Sequence, residues 1–357
     1  MIVIAQQKIR RKILIIMSFN NRNDNFGDQL IFSLLYKELS QQTSVYLLNN
    51  KPNILSDIPV IRIRQAFKLA ISARFHGETV SLLDPPCARL APRFVKKSLS
   101  EKLKTHIIQT VWRLIGVKRC VVGISVATDL PVDTFRGYRV IGLRDKVSLE
   151  QITKLHKQAT FCPDMACLMT VKKKTYRPHG TVMLSFRKDV PEIVGGTDTD
   201  LVEDCLGKLL NADANMLNKD NVKFYAQVDE DVSYNRQLAL ELLNQERLIV
   251  SQAQDETYYA ELFADCQLVI SNRLHVLLPA MLEGIPTIAL VSKSHAKIVN
   301  LLESYGLEHN ILFIEDVMNG DYQPIGVRNH QSILKHNYEQ LLSIHEQVKD
   351  YLNLNFG

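Results

Sequence analysis

An arginine and a histidine stand two positions apart where an apolar run gives way to a helix-like segment. Residues 268–271 have the composition of a buried strand, and Arg273 and His275 follow at the start of an apolar helical pattern. A helix amino terminus presents free N–H groups, and an adjacent arginine strengthens its attraction for anions. Histidine exchanges a proton readily near neutral pH. Together with Ser271, these residues predict an anion site that contains a proton donor.

Two further arginines directly follow predicted strands. Arg144 comes after residues 139–143 and precedes Asp145, and Arg187 comes shortly after residues 181–185. Ligands of open α/β sheets bind beyond the carboxyl ends of the strands, so both arginines are candidates for the same site. For Arg144, a structural ion pair with an aspartate is an equally good interpretation.

A polar loop at residues 19–25 leads from the first predicted strand into the first predicted helix. It ends in Asn25, and Gly27 and Asp28 follow at the helix start. Free N–H groups at that point suit an anion or a sugar hydroxyl, although a well-capped surface loop explains the same residues. Neither G-x-G-x-x-G nor G-x-x-x-x-G-K-[ST] occurs, which disfavours nicotinamide dinucleotide and P-loop chemistry.

The elements that must position these residues alternate between short β-rich runs and helical segments. This alternation predicts an α/β fold with two Rossmann-like domains, each an open and mostly parallel sheet, that face a cleft. A polar, basic segment at 172–180 separates the two halves. The predicted domains are therefore 1–171 and 181–329, followed by a C-terminal helix within 330–357.

Four short motifs, in order, make the chain resemble the polysaccharide pyruvyl transferase family over most of its length. They are Asn25-Phe-Gly27-Asp28, Arg144-Asp145-Lys-Val-Ser148, Pro163-Asp164-Met-Ala166, and Ser271-Asn-Arg273-Leu-His275 with its following Gly284-Ile-Pro286. The resemblance implies a two-lobed, GT-B-like fold similar to that of the double-Rossmann glycosyltransferases. It also implies that the first domain binds the acceptor and the second binds the donor.

The activity that this resemblance implies is transfer of the pyruvyl group of phosphoenolpyruvate onto two sugar hydroxyls, which forms a cyclic ketal. The acceptor would be a bacterial-type surface polysaccharide or its lipid-linked precursor. Phosphoenolpyruvate is then a co-substrate, and neither a cofactor nor a metal is expected. The residue roles implied are His275 as general acid, Arg144, Arg273, Arg187 and Ser271 at the donor, and Asn25, Gly27 and Asp28 as the acceptor-side loop.

Two alternatives remain open at the level of sequence. A nucleotide-sugar-dependent glycosyltransferase of GT-B architecture would use Arg273 and His275 to bind a diphosphate. A non-catalytic scaffold within a polysaccharide assembly machine would need neither. The fold does not separate these alternatives, because function depends on the site.

The charge of the chain divides unevenly. Residues 1–170 contain 26 Lys and Arg against 12 Asp and Glu, whereas residues 171–357 contain 17 against 26. The excess concentrates in residues 89–119, where basic and apolar residues share helical spacing. A core-facing helix with a solvated basic face fits this segment, and so does peripheral contact with anionic lipid. No nucleic-acid-binding module is recognisable, so nucleic acid is not an expected partner.

The remaining features concern compartment and metal binding. Six scattered cysteines, and the lack of any apolar run long enough for a membrane span or signal peptide, predict a reduced cytoplasmic protein. In the lipid interpretation it would work at the inner face of a membrane. Three consecutive acids, Asp229, Glu230 and Asp231, are interpreted as a solvated loop rather than a metal site.

Overall fold

The structure is a computed structural model that describes residues 13–19, 25–49, 58–86, 89–90, 99–126, 132–188, 199–214, 217–251 and 255–357. Within these residues the chain forms two parallel sheets flanked by helices. The predicted fold class is confirmed. The polar loop at 20–24 and part of the basic segment, 91–98, lie outside the described residues.

The first lobe is built around the sheet formed by residues 13–161, whose strand order is β3-β2-β1-β4-β6-β7-β8, with β5 paired to β6. The strands are β1 (Ile13–Ser18), β2 (Ser44–Leu48), β3 (Val60–Ile61), β4 (Thr79–Leu83), β5 (Arg89–Leu90), β6 (Lys118–Val126), β7 (Tyr138–Leu143) and β8 (Ala159–Phe161). The helices are α1 (Phe26–Ser40), α2 (Ile63–Phe75), α3 (Leu99–Ile115) and α4 (Lys146–Thr153). The central strand β1 is buried on both faces, as parallel strands covered by helices are.

The second lobe is built around a six-stranded sheet of order β11-β10-β9-β12-β13-β14. Its strands are β9 (Thr181–Ser185), β10 (Val222–Ala226), β11 (Leu248–Val250), β12 (Cys266–Ser271), β13 (Thr287–Val291) and β14 (Ile311–Phe313). Its helices are α5 (Thr199–Ala212), α6 (Asp229–Leu243), α7 (Glu256–Leu262), α8 (Leu274–Leu282), α9 (Ala296–Ser304) and α10 (Ile314–Asn319). The strand order is that of a Rossmann sheet.

The order of strands reverses at one place in the second sheet, between β9 and β12. These two strands are parallel neighbours, and Ser185 at the end of β9 is in register with Ser271 at the end of β12. The chain leaves them toward opposite edges of the sheet, which opens a crevice beyond their carboxyl ends. The segments that follow β9 and β12 are therefore brought side by side.

A long C-terminal helix, α11 (His330–Phe356), contacts both lobes. Near its start, the Asn337 amide donates to Asn310 Oδ1 in the second lobe at 3.1 Å. Near its end, Asn353 Oδ1 accepts a hydrogen bond from Gln42 of the first lobe at 2.6 Å. The predicted C-terminal helix is confirmed, whereas the domain boundaries at 171, 181 and 330 stay predictions.

The two lobes share one continuous apolar core. Buried Leu30 of α1, Val276 of α8 and Ile344 of α11 all belong to the same cluster. A single 3₁₀ turn, Met165–Leu168, contacts all three of these helices. This packing fixes the beginning of α1 against the beginning of α8.

Candidate functional site

A polar cleft of about 130 Å³ lies where the amino termini of α1, α8 and α9 converge. The first lobe contributes Asn25 and Asp28 to its lining, and the second contributes the segments after β9, β10, β12 and β13. Three cationic side chains, Arg187, Arg273 and Lys297, line it together with His275. Five of the predicted site residues, from both lobes, thus meet in one cleft: Asn25, Asp28, Arg187, Arg273 and His275.

The loops after β9 and β12 are joined by an asparagine between them. The Arg187 N–H donates to Asn272 Oδ1 at 2.8 Å, and Asn272 Nδ2 donates to the Arg187 carbonyl at 3.1 Å. Asn272 is buried. This reciprocal pair fixes the backbone of Arg187 beside that of Arg273. From the sequence, the segments after β9 and β12 were treated as two separate junctions.

Ser271 links the same two segments through its side-chain hydroxyl. Its hydroxyl donates to the Ser185 carbonyl at 2.6 Å and accepts the Arg273 N–H at 2.9 Å. The side chain is fully buried and is not part of the cleft lining. The expectation that Ser271 contacts a donor is therefore not supported by its position, because its hydroxyl is committed to the two backbone segments.

Arg273 is held by Asp231, the last of the three consecutive acids. Its guanidinium forms an ion pair with Asp231, which is buried on the first turns of α6. Burial raises the pKa of Asp231, and the neighbouring Arg273 partly offsets this rise. The interpretation of the acids at 229–231 as a solvated loop is wrong, since they begin α6 and Asp231 orients a cleft arginine.

His275 lies over a second buried ion pair. Its Nε2 is 3.7 Å from Asp164 Oδ2, which is an ion-pair distance when the ring is protonated but longer than a hydrogen bond. Asp164 Oδ2 in turn accepts a 2.7 Å hydrogen bond from Arg144 Nη1. Burial alone would raise the pKa of Asp164, but His275 and Arg144 together hold it well below its usual range. Asp164 is therefore a carboxylate.

Arg144, like Ser271, is a predicted site residue that the structure places outside the cleft. It is fully buried, its Nε donates to Ser125 Oγ at 2.8 Å, and it does not line the cleft. Of the two interpretations left open by the sequence, the structural ion pair is the one observed, with Asp164 rather than Asp145 as partner. A direct contact between Arg144 and a donor is not supported, because the side chain is fully buried and its guanidinium is paired with Asp164.

The residue after Arg144 has a local role. Asp145 caps α4 by accepting the Ser148 N–H at 2.7 Å and the Ser148 hydroxyl at 2.8 Å. The same hydroxyl accepts the Val126 N–H at the end of β6 at 2.9 Å. The Arg-Asp-x-x-Ser pattern thus fixes the end of β6, and with it the position of Arg144.

The first lobe presents the start of α1 to the cleft. Asn25 caps the helix, and its amide donates to Asp28 Oδ2 at 2.8 Å. Gly27 packs directly on the second lobe, because a Cβ built there would lie 2.6 Å from His275 Cβ. The predicted acceptor-side loop is thus brought beside the predicted acid, His275.

Lys297 is a cleft residue that sequence reasoning missed, as are Gln227 and His295. It lies on the first turn of α9, beyond the end of β13, and its side chain is half-buried. Burial lowers the pKa of Lys297 to about 8, helped by repulsion from Arg144 and Arg187 and opposed by attraction to Asp28. Lys297 was predictable in the same way as Arg273, because ligands bind beyond the carboxyl ends of the strands and β13 is the strand beside β12.

The described residues contain neither a metal-binding cluster nor a membrane-spanning helix. Among the described residues, no group of three His, Cys, Asp or Glu side chains is placed to hold a metal ion. None of the helices in the described ranges is long and apolar enough to cross a membrane.

These features define a two-lobed α/β protein whose cleft is suited to a small anion with a proton donor beside it. The chain belongs to the polysaccharide pyruvyl transferase family, whose model matches residues 98–294, more than half of its length. That stretch includes Arg144, Asp164, Arg187, Arg273 and His275. Comparison with curated protein sequences gave no significant match.

Solved structures with the same two-lobed fold include proteins bound to UDP or UDP-GlcNAc. The UDP-GlcNAc 2-epimerase of Neisseria meningitidis bound to UDP-GlcNAc has a TM-score of 0.53 at 8% identity, covering 96% of this chain and 100% of that one. S. aureus MnaA with UDP gives 0.52 at 10%, covering 97% and 98%. Os79 from O. sativa in complex with UDP gives 0.51 at 12%, covering 96% and 100%. At these identities the similarity establishes a GT-B-like fold and nothing further.

Proposed function

We propose that the protein transfers the pyruvyl group of phosphoenolpyruvate onto two hydroxyls of a sugar, in a bacterial-type surface polysaccharide or its lipid-linked precursor. The observation that carries this proposal is the grouping of Arg187, Arg273, Lys297 and His275 in one cleft of a chain that belongs to the pyruvyl transferase family. A small trianion needs several cations, and its reaction needs one proton donor.

The donor is assigned to the second lobe. Phosphoenolpyruvate has a carboxylate and a phosphate of about −1.5 to −2 charge near neutral pH. Arginine binds either group through two parallel hydrogen bonds, and a lysine supplies a compact third charge. Asp231 holds the Arg273 guanidinium, and Asn272 holds the backbone of Arg187, so both arginines are positioned beside each other before the donor arrives.

His275 is assigned as the general acid. Its Nε2 faces Asp164, and the other ring nitrogen, Nδ1, lies on the side of Gly27, where a Cβ would come within 2.8 Å of it. Asp164 is therefore placed to pair with the protonated ring, and His275 is the group assigned to deliver the proton. Arg144 acts as a positioning residue that keeps Asp164 ionised and in place.

The proposed reaction conserves atoms and charge. His275 protonates the methylene carbon of the enol, which becomes a methyl group, and the neighbouring carbon becomes oxocarbenium-like. One sugar hydroxyl attacks that carbon and loses its proton, and phosphate leaves by cleavage of its C–O bond. The second hydroxyl then closes the cyclic ketal. The two hydroxyl protons balance the one transferred to carbon and the one that accompanies phosphate.

The acceptor is assigned to the start of α1. Asp28 lines the cleft from the first lobe, and Asn25 holds its carboxylate through a 2.8 Å hydrogen bond. A carboxylate there can bind the sugar hydroxyls and accept the proton of the attacking one. Phosphoenolpyruvate is the co-substrate in this scheme, and no cofactor takes part.

The decisive experiment compares donors by thermal stabilisation of the purified protein. A ligand at about 100 times its Kd stabilises the folded state by about 2.7 kcal/mol, so phosphoenolpyruvate is expected to raise the melting temperature measurably. Uridine, guanosine and cytidine diphosphates are the comparison ligands. Stabilisation by one of these and not by phosphoenolpyruvate would overturn the proposal in favour of a nucleotide-sugar-dependent glycosyltransferase.

A further inference from the structure

Helices α2 and α3 lie side by side on the outer face of the first sheet, away from the cleft. The rings of Phe67 and Trp112 pack at a centroid distance of 4.1 Å, and the Arg74 guanidinium lies beside Gly116 at the end of α3. Trp112 is 1% exposed. The two helices therefore present one common outer surface.

The outer side of α3 is apolar. Leu103, Ile107 and Leu114 are 62%, 54% and 79% exposed. Their spacing of four and seven residues puts them in one stripe, on the side of the helix opposite Trp112. Helix α3 thus has a second apolar face. The sequence had left two interpretations of this segment open, a core-facing helix with a solvated basic face and peripheral contact with anionic lipid.

The outer side of α2 continues this surface. Its inner face is formed by small buried residues, Ala66, Ala70 and Ala73. The opposite side carries a stripe at the same helical spacing that begins basic and ends apolar. Its members are Arg64, Lys68, Ile71 and Phe75, all exposed, and Phe75 is 85% exposed.

The charges beside these apolar groups are mostly basic. Exposed Arg64, Lys68, Arg74 and Arg113 lie on the two helices, together with His106. Glu101 is the single acidic residue in the sequence of α2 and α3. A second copy of the chain docked symmetrically here would therefore bring mostly like charges together. A partner that has negative charges next to apolar chains would attract these basic residues instead of repelling them.

We propose that α2 and α3 together form a docking surface for an anionic lipid bilayer. Phe75, Leu103, Ile107 and Leu114 would enter the boundary between headgroups and acyl chains, and the basic residues would bind the lipid phosphates. Binding of this surface does not depend on the donor chemistry. If the proposed function holds as well, the same contact brings the acceptor lobe to a lipid-linked sugar.

Vesicle flotation tests this surface with the full chain. The protein is mixed with phosphatidylcholine vesicles or with vesicles that also contain phosphatidylglycerol, and bound protein is measured after flotation. Wild type is expected to float with the anionic vesicles only. The apolar variant Phe75→Ser/Leu114→Ser and the charge variant Arg64→Glu/Lys68→Glu should each lower binding at least about tenfold.

Matched controls change equally exposed residues elsewhere. Leu354→Ser removes a side chain that is 86% exposed on α11, and Lys335→Glu reverses an exposed charge on the same helix. Both controls should float like wild type. Equal loss in controls and variants, or unchanged flotation of the apolar variant, would overturn the proposal. A wild-type dimer that Phe75→Ser/Leu114→Ser converts to a monomer would overturn it in favour of a second copy as the occupant.

Discussion

Gly27 of α1 and His275 of α8 belong to different lobes, and their backbones approach so closely that no side chain fits between them. A Cβ built on Gly27 would lie 2.6 Å from His275 Cβ and 2.4 Å from Gln227 Nε2. The glycine is therefore required by close packing between the lobes. Its place next to Asp28 means that the same contact sets the distance between the proposed acceptor carboxylate and the proposed acid.

Replacing Gly27 with alanine is expected to push the start of α1 away from His275. Because catalysis depends on positioning at the scale of about 1 Å, we expect the rate to fall roughly a hundredfold. The measurement is incorporation of labelled pyruvyl from phosphoenolpyruvate into the polysaccharide fraction, with circular dichroism to confirm folding.

Gly207→Ala is the matched control for Gly27→Ala. Gly207 lies within α5, and the nearest atom to a Cβ built there is 4.0 Å away. Alanine favours helices over glycine, so this control should keep full activity and be slightly more stable. Full activity of Gly27→Ala would show that the contact with His275 does not position the site.

The buried pair of Arg144 and Asp164 should respond differently to single and double substitution. Asp164→Asn keeps an acceptor for the Ala166 N–H but leaves the Arg144 guanidinium as an uncompensated buried charge. Breaking one partner of such a pair costs about 3–5 kcal/mol. Arg144→Met should cost a similar amount, and the double variant less than either single one. Urea denaturation measures all three.

The exposed ion pair between Arg236 and Glu246 supplies the control, since Glu246→Gln should change stability by no more than about 1 kcal/mol.

The buried pair of Arg144 and Asp164 also predicts that stability depends on pH. Because the pKa of Asp164 is lowered in the folded state, its contribution to stability is present above about pH 4 and is lost as the pH falls below that value. The double variant should lack this acid-sensitive component. Purely additive single effects would contradict the ion-pair account.

How far the sequence could predict this site depends on the range of each interaction. The strand-to-helix junctions, with Arg187, Arg273 and His275, were predictable because strand ends in a parallel sheet meet at one edge. The pairing of Arg144 with Asp164 and of Arg273 with Asp231 was not predictable, because each joins elements that are distant in sequence and depends on tertiary packing. Lys297 was predictable by the same rule, because it follows β13, the neighbour of β12 in the sheet.

His275→Gln should remove the proposed acid while keeping a side chain of similar size. We expect the turnover rate to fall by about 10²–10⁴, with stabilisation by phosphoenolpyruvate retained because the cleft arginines and Lys297 remain. His179→Gln, at an exposed position, is the control and should behave as wild type. A turnover rate within a few-fold of wild type would exclude His275 as the proton donor.

Lys297 predicts that donor binding weakens in mildly alkaline solution. Its pKa is about 8, so the cation is present below that pH and is lost as the pH rises through it. The donor phosphate is fully ionised by then, since its second pKa is about 6. The KM for phosphoenolpyruvate should therefore rise above about pH 8, while in Lys297→Arg the KM should stay level because arginine remains charged.

Arg187→Ala should shift the pH at which the KM begins to rise to a higher value, since one charge that repels the Lys297 cation is gone. Lys293→Ala, which changes an exposed lysine paired with Asp316, should leave the profile unchanged. A wild-type profile that matches that of Lys297→Arg would show that Lys297 does not bind the donor.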